Sequence, residues 1–115
     1  MAKNMLAAPV VKWVGGKRQL MNEITPLLPK RITSYCEPFL GGGAVLFYVQ
    51  PSKAIVNDIN ADLIAVYETI RDNVDALVAD LKKHKNTPEY FYAIRDLDRD
   101  KEAYQAMSRV ERASR

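Results

Sequence analysis

The chain has 115 residues, 48% of them apolar, a formal net charge of +3 and a single cysteine. By length it is one domain at most, on the usual scale of roughly 100–200 residues per domain, and its apolar content excludes disorder throughout. One cysteine, Cys36, excludes an internal disulfide and a multi-cysteine metal site.

From the N-terminus, residues 1–16 read as extended or looped, punctuated by Pro9 and by Gly15-Gly16. Pro9 and Lys12 interrupt the apolar run that a secretory signal needs. Leu20, Ile24, Leu27 and Leu28 recur at helical spacing from Lys17 onward, and Pro26 shortens that helix. Ser34–Glu37 suits a short buried strand that runs into a turn at Pro38. Gly43–Val49 is apolar and reads as a helix, and Ala54–Asn57 as a second strand. The longest uncharged stretch, Pro38 to Ser52, is too short and too rich in glycine and proline to span a membrane. A reducing cytoplasm, with no membrane and no metal, is the expected setting.

Helices follow. Asn60 is a candidate N-cap for a helix bearing Leu63, Val66, Tyr67 and Ile70. Asp72 or Asn73 would cap another, with Leu77, Val78 and Leu81 inward and lysines in its last turn. Thr87-Pro88 marks a helix start, and residues 101–115 read as helical. His84, in a lysine-rich helix end, is expected at the surface. Residues 1–60 hold seven Lys/Arg against three Asp/Glu, and residues 61–115 hold ten against eleven. That is short of the basic stripe of a nucleic-acid binder. Arg109, Arg112 and Arg115 are spaced to form a basic ridge or an ordinary solvated helix face.

The chemistry concentrates in three places. Lys12-Trp13-Val14-Gly15-Gly16-Lys17 is a glycine turn with a lysine at its exit. Glu37-Pro38-Phe39-Leu40-Gly41-Gly42-Gly43 is a second turn, following an apolar run. Consecutive glycines there let the backbone take positive φ and come close to a ligand. Asn57-Asp58 puts a carboxylate at the end of the next apolar run, where a ribose diol would be bound. The order of strand, glycine turn, helix, strand and acid matches the start of a doubly wound α/β domain. Gly41 and Gly43 fit the first two positions of the dinucleotide fingerprint, but Leu46 stands where its third glycine belongs, which counts against NAD. Gly16-Lys17 is followed by Arg18, so no P-loop is present. S-adenosylmethionine has no phosphate and suits these residues better. Asp58 can take its diol, Lys17 its carboxylate, and Trp13 can pack on it. Each has a plainer alternative: core packing for Trp13, a solvated first-turn lysine for Lys17, a helix cap for Asp58.

The three motifs, at residues 12–17, 37–43 and 57–63 and in this order, closely resemble those of the Dam-type, or D12 class, adenine-specific DNA methyltransferases. The resemblance extends weakly through Tyr90–Arg95 to the arginine-bearing end. It implies a Rossmann-like, S-adenosylmethionine-dependent α/β domain, of which 1–71 would be the cofactor-binding part. Residues 72–115 would then open a helical DNA-recognition segment. The implied cofactor contacts are Trp13, Lys17, Glu37, Pro38, Phe39, Gly41, Gly43, Asp58 and Ile59. Arg95, Arg109 and Arg112 are implied candidates for contact with double-stranded DNA. A bacterial or phage origin follows from the same resemblance.

The family's catalytic Asp-Pro-Pro-Tyr-type tetrapeptide is absent, since no two prolines are adjacent. The expectation is therefore an N-terminal portion of a DNA adenine-N6 methyltransferase that is inactive alone, with no catalytic residue of its own. With only two strands, its sheet edges are expected to stay open to association. The rival readings are a non-catalytic S-adenosylmethionine-binding module, such as a subunit of a split enzyme, and an NAD-dependent oxidoreductase fragment.

Overall fold

A computed structural model describes residues 3–115, which form two compact units dividing between Ile59 and Asn60. The boundary expected at 71/72 falls within the helical second unit, beside a break in its helical path at Asn73.

In the first unit the helical stretch after Lys17 is uneven. A 3-10 turn, Arg18–Leu20, leads into α1, Met21–Ile24, and a second 3-10 turn, Thr25–Leu27. Pro26 sits at the start of that second turn, where its missing N–H is tolerated, and Leu28 turns extended. Strand β1, Tyr35–Glu37, then runs into the glycine turn. Helix α2, Ala44–Val49, carries the chain back to strand β2, Ala54–Val56. The strands are parallel, with Tyr35 opposite Ala54, Cys36 opposite Ile55 and Glu37 opposite Val56. Leu40 and Val45 are buried at the start of this crossover.

Side chains alternate between the faces of a strand, so the expected fully buried β1 is only half right. Glu37 is buried and Tyr35 half-buried, but Cys36 is exposed and its neighbour Ile55 is 74% exposed. The apolar run was too short to distinguish one buried face from two.

The second unit is helical. Helix α3, Ala61–Leu81, is capped by Asn60, whose Oδ1 accepts from the Leu63 N–H at 3.0 Å. Two helices meet in this span as expected, with the break at Asn73, where φ −152° and ψ 49° leave the helical region. Leu63, Thr69 and Leu77 are buried. The Thr69 hydroxyl donates to the Ala65 carbonyl at 2.7 Å, which lets a polar side chain sit in the interior. Val78 and Leu81, expected inward, are nearly half exposed.

Helix α4, Pro88–Arg95, begins at the Thr87 cap as the sequence indicates. A 3-10 turn, Asp96–Arg99, leads to α5, Lys101–Ala106, and α6, Arg109–Ser114. The run 101–115, expected to be helical, is so in two pieces. Met107 and Ser108 are extended, and the Ser108 hydroxyl accepts from the Glu111 N–H at 3.1 Å. Capping gives the serine a better hydrogen bond than a mid-helix position would. Helix α6 packs against α3.

Candidate cofactor site

The first two glycine motifs are tied together by an ion pair. The Lys17 ammonium donates to Glu37 Oε1 at 2.8 Å and to the Phe39 carbonyl at 2.5 Å. Glu37 is only 7% exposed. A carboxylate at that depth needs an opposite charge and hydrogen bonds to offset its desolvation. Its second oxygen, Oε2, accepts from the Tyr35 hydroxyl. Tyr35 and Glu37 are two apart on β1 and so share a face, which is how a three-residue strand places both groups on one carboxylate. Burial, followed by the Glu37 hydrogen bond and its negative charge, pushes the Tyr35 phenol well above its usual range, so it stays a donor.

Asp58 closes the third side. Its Oδ2 accepts from the Gly41 N–H at 3.0 Å, while the Leu40 N–H donates to the Asn57 carbonyl at 2.9 Å. The end of β2 thus holds the glycine turn from both its backbone and its side chain. Gly41 and Gly43 take φ of 55° and 80°, the left-handed region that glycine enters without cost. Gly42 is different. A Cβ there would stand 2.9 Å from the Val11 carbonyl oxygen, so its role is to let the 9–13 segment approach. Trp13 leans over the same turn, with its Cδ1 3.6 Å from where a Cβ on Gly41 would lie.

A cleft of about 700 Å³ opens between residues 9–19 and the turn at Gly42 and Ala44. Trp13, 40% exposed, and Lys17 both line it. The volume is that of a small-molecule site, for which about 300–1,000 Å³ is usual. An indole face with an ammonium beside it fits a nucleoside that carries an amino-acid tail. Of the nine expected contact residues, the structure gathers Trp13 and Lys17 at this cleft. Glu37, Gly41, Gly43 and Asp58 do not line it but belong to the hydrogen-bonded turn beside it. Pro38, Phe39 and Ile59 are exposed, the last two at 73% and 98%, and do not line the cleft. Tyr35 escaped the sequence reading, although its place two residues before Glu37 was the available signal.

In the second unit, Arg109, Arg112 and Arg115 do not form a basic ridge. Arg109 pairs with Glu68 and lies 3.8 Å from Asp72. Arg112 is half-buried. Arg115 donates to the Ile94 and Arg95 carbonyls and pairs with Asp98 at 2.9 Å. Arg95 remains half exposed, its guanidinium 4.8 Å from the Tyr92 ring centre. His84, expected at the surface, is half-buried: Nδ1 meets the Tyr90 hydroxyl at 2.9 Å, and Nε2 meets Ser114 Oγ at 2.7 Å and its carbonyl at 3.1 Å. A carbonyl only accepts, so Nε2 is the donor to Ser114. Among the described residues no helix is long and apolar enough to cross a membrane. No cluster of three His, Cys, Asp or Glu among them could hold a metal ion.

Comparison with known proteins joins this geometry to a family. Residues 13–115 match the D12 class N6 adenine-specific DNA methyltransferase family. The chain is 44% identical, over 93% of its length, to a type II methyltransferase, M1.LlaDCHI, of Lactococcus lactis subsp. cremoris. It is 37% identical over 80% of its length to the type II methyltransferase M.MjaIII of Methanocaldococcus jannaschii, and 39% identical over 76% to a DNA adenine methylase of Haemophilus influenzae. It spans 38%, 38% and 32% of those relatives' lengths. With both glycine turns and Asp58 joined in one network and the match covering nearly the whole chain, the protein belongs to the D12 class of N6 adenine-specific DNA methyltransferases.

Proposed function

We propose that this chain is the cofactor-binding part of a DNA adenine-N6 methyltransferase and takes S-adenosylmethionine in the cleft between residues 9–19 and the glycine turn. The observation that carries the reading is the junction of the three motifs: Lys17 on Glu37 and Phe39, and Asp58 on Gly41. When bound, S-adenosylmethionine supplies the methyl group. The chain's own part is to bind and orient. Two of the Lys17 ammonium's three N–H bonds are used within the chain, and the third is left for the carboxylate of the amino-acid tail. Trp13 offers an apolar face at the cleft, and the Asp58 carboxylate is the acceptor assigned to the ribose hydroxyls. Glu37, Pro38, Phe39, Gly41, Gly43 and Ile59 shape the turn on which these groups stand.

The proposed acceptor is adenine in double-stranded DNA, and the proposed setting is the cytoplasm of a bacterial or phage-infected cell. Arg95, half exposed, lies over the Tyr92 ring, pairs with Asp96 at 3.4 Å, and is assigned to phosphate contact. Arg109 and Arg112 are assigned to DNA contact with less support, because Glu68 and Asp72 already engage the first and the second is half-buried. No adjacent prolines occur in the chain, and methyl transfer is assigned to polypeptide outside it. Titration calorimetry tests the binding role. S-adenosylhomocysteine should give a saturable heat and NAD none; heat from NAD alone would replace this reading with that of a dinucleotide site.

A further inference from the structure

We propose that Tyr35 is a positioning residue for Lys17, acting through Glu37, and so controls recognition of the amino-acid tail of the nucleoside. This rests on the S-adenosylmethionine reading of the cleft and adds a residue that no motif contains.

A buried carboxylate has two oxygens, and here each has a different partner. The Tyr35 hydroxyl donates to Oε2, and the Lys17 ammonium donates to Oε1 at 2.8 Å. Lys17 is the only one of the three that lines the cleft. Its head is held at two points, Oε1 and the Phe39 carbonyl at 2.5 Å, which fixes where its third N–H can point. Without the tyrosine, the carboxylate is free to rotate about its last torsion, which is broad and shallow. Oε2 would also be left without that donor in a site that is 7% exposed, and the ammonium already on Oε1 is a group able to satisfy it. Lys17 would then be drawn toward both oxygens and away from the cleft. Because burial and the neighbouring Glu37 keep the phenol protonated well past its ordinary range, the hydroxyl donates across the whole working pH range.

The test compares two ligands that differ only at the tail. S-adenosylhomocysteine carries the carboxylate that Lys17 would meet; 5′-methylthioadenosine has the same nucleoside and no amino acid. Tyr35→Phe should weaken S-adenosylhomocysteine about three- to tenfold, as expected for one hydrogen bond near a charged group. It should leave 5′-methylthioadenosine within about twofold on the same scale. In a Lys17→Met background, adding Tyr35→Phe should change neither affinity. Equal weakening of both ligands, with the melting curve unchanged, would make Tyr35 a structural residue and overturn the proposal. So would an unchanged affinity for S-adenosylhomocysteine. Unmodified chain that binds neither compound would overturn the reading of the cleft as well. That outcome is distinct from failure of the Tyr35 assignment alone, in which the unmodified chain still binds.

Discussion

Asp58 holds the glycine turn and is proposed to hold a ribose, and the two tasks can be separated by measurement. Its Oδ2 holds the Gly41 N–H at 3.0 Å, and its carboxylate is the assigned partner of the ribose. Asp58→Ala should weaken S-adenosylhomocysteine by about 1.5–3 kcal/mol, the range for hydrogen bonds involving a charged group. A loss under about 0.5 kcal/mol, with the melting curve lowered, would leave it only the smaller task of holding the turn. Gly42 tests the turn from the other side. The space a Cβ would need is taken by a backbone oxygen 2.9 Å away, on Val11, which cannot swing aside as a side-chain tip can. Gly42→Ala should therefore cost about 1–3 kcal/mol of stability, the usual range for overpacking, and loosen the cleft by displacing residues 9–13. Urea denaturation gives the first quantity and calorimetry the second. An alanine variant as stable as the parent would mean that the 9–13 segment is not held where the structure has it.

At the scale of elements, the end of α3 offers a pH test. The hydrogen bond from Lys83, and then one from Ser114, hold the Asp80 carboxyl below the usual carboxylate range. The same contact raises the Lys83 ammonium above its own. A depressed folded-state value means that the folded chain binds fewer protons than the unfolded chain as pH falls. The stabilisation is then full above the unfolded value, near pH 4, and is lost as pH drops through the folded one. For Lys83 the sign is opposite: stabilisation is full below the unfolded value, near pH 10.4, and is lost as pH rises through the folded one. The difference in melting temperature between the parent and Asp80→Asn should therefore be level at neutral pH and shrink below about pH 4 and above about pH 10. A difference that does not change with pH would assign Asp80 to packing alone. What was legible in the sequence divides on the same line between local and distant interactions. Asn60 and Thr87-Pro88 announced helix starts because a cap is a contact across three residues. Ser108 with Glu111 carries the same signal inside the run 101–115 that was read as helical. The Lys17–Glu37 pair spans 20 residues, and His84 reaches 30 residues to Ser114. No periodicity encodes such pairings, so the motifs marked segments that come together but not the bonds that join them.

At the scale of the whole molecule, the question is whether this chain can transfer a methyl group. Enzymes that modify a base draw it out of the duplex into a pocket. The amino group of a flipped adenine then needs acceptors aimed at it and an aromatic face to stack on. In the first unit the acids of the site are already engaged: Glu37 is buried between Lys17 and Tyr35, and Asp58 is tied to the glycine turn. The exposed aromatic at the turn, Phe39, stands outside the cleft. The sheet has two three-residue strands, where three or more strands are usual for independent stability. Its Cys36–Ile55 face is exposed, although parallel sheets are normally covered on both sides. The proposed nucleoside site uses only the turn and the cleft, and presentation of an adenine to it is assigned to surface beyond these two strands. Incubated with adenine-rich duplex and cofactor labelled in the methyl group, the purified chain should incorporate no label above background, even where calorimetry shows that it binds S-adenosylhomocysteine. Incorporation that Asp58→Ala removes would show that the two strands and their turn suffice for catalysis, and would overturn the assignment of methyl transfer to polypeptide outside the chain.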